Sequence, residues 1–129
     1  MKRVYRTCLL IDDSPLHNWI NNKVIKKSGF ASEIIISERP EEALILLRDE
    51  KIKPDIIFLD IKMPIMDGFE FLKEYEKLAI DKSQTSIVIL SSSVNPVDIE
   101  RAKSNKYVTK FIGKALSEED LVKLEQLRA

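Results

Sequence analysis

The apolar residues of this chain change their spacing in a repeating way, and that repetition constrains the fold more than any single motif. Val4 to Ile11 is a nearly continuous apolar run, as in a strand buried on both faces. It stops at Asp12-Asp13-Ser14-Pro15, which offers a helix cap and a proline suited to a first turn. Leu16, Trp19, Ile20 and Val24 then recur at helical spacing, with Asn18, Asn21, Asn22 and Lys23 assigned to the other faces, until Ser28-Gly29 ends the segment. The cycle repeats. Ala31 to Ser37, with Ile34-Ile35-Ile36, predicts a second strand, and Pro40 opens a helix with a stripe of Ala43, Leu44 and Leu47. Ile56-Ile57-Phe58-Leu59 predicts a third strand ending at Asp60. Beyond the turn-rich Met63-Pro64-Ile65-Met66-Asp67-Gly68 comes a helix carrying Phe69, Leu72, Tyr75 and Leu78. Ile87 to Leu90 is the fourth strand, followed by a helix from Asn95-Pro96 with Val97, Ile99 and Ala102. Tyr107 to Ile112 is the fifth strand, and Ser117 caps a last helix with Leu121, Leu124 and Leu127. Strand then helix, five times over, implies a doubly wound α/β sandwich: a parallel sheet covered by helices on both faces, expected as one domain over residues 1–129. Periodicity leaves the strand order open.

Composition narrows the class of function. The chain has 129 residues, enough for one core of ordinary size, and 44% hydrophobic with 33% charged residues fits a soluble globular protein. Its 21 basic and 21 acidic residues cancel, so nothing points to nucleic acid as a direct partner. The single cysteine, Cys8, lies in an apolar run, reads as core, and excludes an internal disulfide. Lys2, Arg3 and Arg6 precede an apolar stretch too short for a signal core or a membrane span, so no membrane association and a cytoplasmic location are expected.

The polar residues fall where an open parallel sheet binds ligands, at the carboxyl ends of its strands. Strand one runs into Asp12-Asp13, strand three into Asp60, strand four into Ser91-Ser92-Ser93 and strand five into Gly113-Lys114. Folded, these would gather three carboxylates, a hydroxyl and an ammonium at one edge. Three carboxylates so close need a cation, and an all-oxygen set suits Mg²⁺. A hydroxyl and a lysine beside it match the spread charge of a phosphoryl group in transfer. The chemistry this implies is Mg²⁺-assisted phosphoryl transfer to or from a carboxylate nucleophile.

With these residues in place, the chain resembles the receiver domain of bacterial two-component response regulators, nearly end to end. The resemblance is carried by Leu9-Leu10-Ile11-Asp12-Asp13, by Ile56 to Asp60 with Ile61-Lys62-Met63-Pro64-Ile65-Met66-Asp67-Gly68, and by Gly113-Lys114. It implies a flavodoxin-like fold with strand order 2-1-3-4-5 and five helices. It further implies Asp60 as the phosphoacceptor and also a Mg²⁺ ligand, Asp13 as a direct Mg²⁺ ligand, Asp12 as a ligand through water, and the main-chain carbonyl of Lys62 as a ligand. Ser91 matches the switch hydroxyl, Lys114 the phosphate-pairing lysine, and Phe111 the aromatic residue that changes rotamer on activation. The partners implied are a histidine kinase or a histidine phosphotransfer protein as phosphoryl source, and a downstream target protein. With no output domain, signalling is expected through protein contact or onward relay. The family's lysine is usually followed by a proline in a cis bond. Here Ala115 takes that place, where a cis bond costs about 3 kcal/mol, and the isomer is left open. Lys110 is an alternative to Lys114, set aside because Ala115-Leu116-Ser117-Glu118-Glu119 leads into the last helix as the family's segment does. Ser91 is preferred to Ser92 because it ends the strand directly.

Blander readings exist for each residue. Asp12, Asp13 or Ser14 could cap the first helix, though two adjacent acids exceed what a cap requires. Asp67-Gly68 reads as a turn and helix start, and Met63, Pro64 and Met66 as loop shaping. His17 is read as solvated or rim-lining, Trp19 as packing, and Arg101, Lys103 and Lys106 as an exposed face. Two other functions compete. A pseudo-receiver would keep the fold as an interaction module without phosphorylation, favoured only by Ala115. A phosphatase with an aspartate nucleophile on strand one would want Asp-x-Asp where this chain has Asp12-Asp13-Ser14.

Overall fold

The computed structural model describes residues 5–93 and 95–128. Its strands are β1 (Tyr5–Ile11), β2 (Ala31–Ser37), β3 (Ile56–Leu59), β4 (Ser86–Ser91) and β5 (Val108–Gly113). They alternate with α1 (Pro15–Ser28), α2 (Pro40–Arg48), α3 (Gly68–Glu76), α4 (Pro96–Lys103) and α5 (Glu118–Arg128). All pairings are parallel and the sheet order is β2-β1-β3-β4-β5. The order implied by the resemblance is therefore the observed one. Val4, Lys2 and Arg3, assigned to the first strand and its approach, lie outside the described residues.

Burial on both faces explains the unbroken apolar runs of the inner strands. Leu9, Ile11, Ile57, Leu59, Ile87 and Ile89 face a core filled by α2, α3 and α4 through Ala43, Leu47, Phe71, Leu72, Tyr75 and Ala102. The alternate residues Cys8, Leu10, Ile56, Phe58, Val88 and Leu90 face a second core closed by Ile25 of α1 and by Leu121 and Leu124 of α5. Burial pushes the Cys8 thiol far above the ordinary thiol range, so it stays a neutral core residue. The register sets Ile11 beside Leu59, with the Asp60 amide donating to the Ile11 carbonyl at 3.0 Å. The next residues, Asp12 and Asp60, thus leave adjacent strands at the same level.

The first helix corrects the sequence reading. Its buried residues are Asn18, Asn21 and Ile25, while Leu16 and Trp19 are 62% and 57% exposed. The inward face is polar at this end because the Asn18 amide donates to the Asp12 carbonyl at 2.8 Å. Trp19 is therefore not a packing residue; its ring lies under the Lys23 ammonium, 4.3 Å from the centroid. Likewise Val97 of α4 and Leu127 of α5 are exposed and only Ala102, Leu121 and Leu124 of the expected stripes are buried. Strand β4 also runs one residue further than its apolar run, because Ser91 still pairs with Gly113.

Candidate functional site

Caps and close approaches fix the loops at the carboxyl edge. The Ser14 hydroxyl accepts from the His17 amide at 3.2 Å and starts α1, with Pro15 in its first turn. In the loop after β3, Asp67 and Glu70 form a reciprocal capping box that starts α3. Gly68 follows because its backbone passes against the strand end: a Cβ there would lie 2.6 Å from the Asp60 carbonyl oxygen and 2.9 Å from the Ile61 Cα. No larger residue fits without moving the segment that carries Asp60. Ser117 and Asp120 exchange cap bonds at the start of α5, as the acidic residue three positions after the serine implies.

Between these fixed ends the three carboxylates gather. Asp12, Asp13 and Asp60 each place a carboxylate oxygen within 4.8 Å of the other two, with Asp12 and Asp60 buried and Asp13 exposed. One Asp12 oxygen accepts from the Ser14 amide at 2.9 Å, and the other from the Lys114 ammonium at 2.7 Å. Lys114 also stands 3.5 Å from Asp60, and its side chain is 9% exposed. The Lys62 backbone N–H bonds the Asp60 carboxylate. Burial, then the neighbouring Asp12 charge, raise the Asp60 carboxyl above its ordinary range, against the opposing pull of Lys114 and the Lys62 amide.

Such a set fits a hard divalent cation. All three groups offer oxygen, two are desolvated, and like charges this close repel unless positive charge is added between them. Lys114 supplies part of that charge to Asp12 and Asp60, while Asp13 faces outward with its carboxylate open to a second source. Ser91 is buried and its hydroxyl accepts from the Ser93 amide at 3.2 Å, whereas Ser92 is exposed. The Lys114 amide donates to the Ser91 carbonyl at 3.1 Å, tying the two strand ends together. The bond from Lys114 to Ala115 is cis. Lys110 pairs opposite Val88 within β5 and lines a surface groove with Lys103 and Phe111, apart from the acidic cluster. Phe111 is half-buried against the core on the α2, α3 and α4 side.

Two neighbours were not anticipated as parts of the site. The Lys62 side chain turns away from Asp60 to meet Asp98 of α4 at 3.4 Å, where Asp98 also accepts from the Ser93 hydroxyl at 3.1 Å. His17 lines the rim, as expected, but it also touches the machinery: Nδ1 is 3.0 Å from the Lys114 ammonium and 3.6 Å from Asp12. The signal for it was available, since a residue three beyond an N-cap lies over the strand end that the cap follows. It carried little weight because one histidine on a helix usually means nothing.

The fold and its acidic strand-end cluster define a class, and comparison with known proteins agrees. A family model for the response regulator receiver domain matches residues 8–126. A two-component response regulator of Arabidopsis thaliana is 31% identical over 101 residues, covering 78% of this chain and 67% of that protein. A protein-glutamate methylesterase/protein-glutamine glutaminase of Treponema pallidum is 37% identical over 84 residues; the match covers 65% of this chain but 20% of that protein's length. Among solved structures, a two-component response regulator from Cytophaga hutchinsonii superposes with a TM-score of 0.89 at 26% identity, covering 98% of this chain and 97% of that one. The chain belongs to the receiver domain family of two-component response regulators, whose standard function is phosphorylation coupled to conformational signalling. Among the described residues, no helix is long and apolar enough to cross a membrane.

Proposed function

We propose that this receiver accepts a phosphoryl group on the Asp60 carboxylate from a phosphohistidine of a kinase or phosphotransfer protein. A carboxylate oxygen of Asp60 forms the new P–O bond as the P–N bond to the donor imidazole breaks, and the imidazole leaves with the bonding pair. The observation that carries the reading is the convergence of Asp12, Asp13 and Asp60 within 4.8 Å, with Lys114 between two of them.

Asp12 and Asp13, with the Lys62 carbonyl, would hold Mg²⁺, which when bound supplies positive charge to the equatorial phosphoryl oxygens. The protein's own groups do the rest. The Lys62 amide orients Asp60, and the gathered loops exclude bulk water around its buried carboxylate. Lys114 pairs with the charge that arrives on Asp60, a charge-assisted contact stronger than a neutral one. The Ser91 hydroxyl, one strand over, is the group to bond a phosphoryl oxygen and so draw the β4 end inward. Because Ser93, Asp98 and Lys62 form one chain of contacts from that strand end to α4, such a movement is passed to α4. Phe111, against the same core, follows it. The face of α4, β5 and α5 would then be read by a downstream protein. The cytoplasm is the compartment in which a kinase would meet it.

Mass spectrometry after incubation with acetyl phosphate and Mg²⁺ tests the reading. One added phosphoryl group, dependent on Mg²⁺ and absent from Asp60→Asn, is expected. A folded wild type that gains no adduct would overturn it in favour of an unphosphorylated interaction module.

A further inference from the structure

The geometry points to His17 as a positioning residue for Lys114, holding the phosphate-pairing ammonium in register with Asp60; the inference rests on the phosphoacceptor reading above. A lysine ammonium has three N–H donors and no acceptor. With its side chain 9% exposed, Lys114 has little water to fall back on, so each donor needs a protein partner. Three acceptors surround it: Asp12 at 2.7 Å, His17 Nδ1 at 3.0 Å and Asp60 at 3.5 Å. The two short contacts fix the ammonium, and the long one leaves its third donor aimed at Asp60 and free to turn to a phosphoryl oxygen.

His17 suits this task because it is itself held. Its amide is bonded to the capping Ser14 hydroxyl, so the ring rises from a fixed first turn of α1. With the ring proton on Nε2, Nδ1 accepts from the ammonium. Asp12 alone would leave the ammonium free to swing about a single contact, and Asp12 must also serve the cation site. His17 supplies a second point, from α1, an element separate from β5. It touches no reacting atom and acts through Lys114.

The test compares His17→Leu, His17→Asn and His17→Gln at one fixed pH. Asparagine places an oxygen where Nδ1 stands; glutamine places its oxygen one bond further out; leucine places none. Phosphorylation by acetyl phosphate in saturating Mg²⁺ is expected to slow about tenfold in His17→Leu, the effect of losing one hydrogen bond to a charged group, and in His17→Gln, and to recover to within about threefold in His17→Asn. A second readout needs no phosphorylation. The ¹⁵N-labelled Lys114 ammonium should give a slowly exchanging proton signal in wild type and His17→Asn that is lost in His17→Leu. Unchanged rates and an unchanged ammonium signal in His17→Leu would overturn the assignment. So would equal slowing in all three variants with a parallel fall in Tm, which would mark His17 as a merely structural residue. The two readings fail separately: a wild type without adduct defeats the phosphoacceptor, while the ammonium signal still judges the His17 contact.

Discussion

Strand β3 is four residues long and has an aspartate at either end, Asp55 before it and Asp60 after it. At the amino end, both Asp55 oxygens accept backbone N–H groups, from Arg6 at 2.8 Å and Thr7 at 2.7 Å. Its own amide donates to the Thr7 carbonyl, and its carbonyl accepts from the Ser86 amide, both at 3.0 Å. This aspartate binds β1, β3 and β4 together through donors that cannot leave without unmaking the sheet. At the carboxyl end, Asp60 has one backbone donor from Lys62, a lysine at 3.5 Å, and two other carboxylates for company. The same residue type, 5 positions along the same strand, is satisfied at one end and left wanting charge at the other. An acid whose lone pairs are filled by main chain is part of the scaffold. One that depends on a side-chain ammonium and on exchangeable charge can change partners, and that is what a phosphoacceptor must do.

Substitutions at the two ends should therefore act in opposite directions. Asp55→Ala removes both bonds to the β1 amides and should cost about 2 kcal/mol in urea unfolding, with Asp55→Asn, which keeps one acceptor, costing roughly half of that. Phosphorylation of either folded variant should match wild type, because the site lies across the sheet. A neutral Asp55→Ala would erase the distinction between the two ends. Asp60→Asn should instead stabilise the Mg²⁺-free protein by about 1 kcal/mol at neutral pH, since it removes a desolvated charge beside Asp12. The sign follows from the raised folded-state pKa of Asp60. The folded state resists the charged carboxylate, so its contribution is most favourable at pH below the ordinary aspartate value and is lost as pH rises through the folded pKa. The mutant's advantage should thus be largest near pH 7 and shrink on acidification. Adding Mg²⁺ should stabilise wild type more than Asp60→Asn. A mutant less stable than wild type without Mg²⁺ would mean that Lys114 and the Lys62 amide outweigh the burial of the charge.

The contrast between the two ends also marks what a reader of the sequence can see. Each strand-end acid of the site follows directly on an apolar run, so Asp12, Asp13 and Asp60 could be placed on one edge before any fold was known. The capping residues Ser14, Asp67 and Ser117 were legible because their bonds are local, spanning three residues. Asp55 was not singled out, because its partners are amides 48 and 49 residues away and an amide leaves no mark in a sequence. Gly68 was legible as a turn and helix start, but the reason no other residue fits there, the path of the Asp60 backbone, was not. Helix α1 misled for another reason. Apolar counting put Leu16 and Trp19 inward, but the helix starts over a polar strand end, so the asparagines turn in and the large apolar residues turn out. Amphipathic periodicity assumes an apolar floor, and beside a binding edge the floor is polar.

Lys62 gives the smallest expected effect and the sharpest limit on the comparison, because it belongs to the site through its main chain and to the surface through its side chain. Its amide serves Asp60, while its ammonium, on a side chain 68% exposed, meets Asp98 at 3.4 Å. An exposed pair of this kind is screened and loses side-chain entropy, and Asp98 keeps the Ser93 hydroxyl in any case. Lys62→Met should change unfolding free energy by no more than about 0.5 kcal/mol. Mg²⁺ affinity measured by calorimetry and the rate of phosphorylation by acetyl phosphate should both stay within about twofold of wild type, since a twofold change corresponds to well under 1 kcal/mol. A larger loss in either would mean that the Lys62 side chain reaches Asp60 during the reaction. The carboxyl edge would then hold a second ammonium that changes partners, and the link from Lys62 to Asp98 of α4 would open as the phosphoryl group arrives.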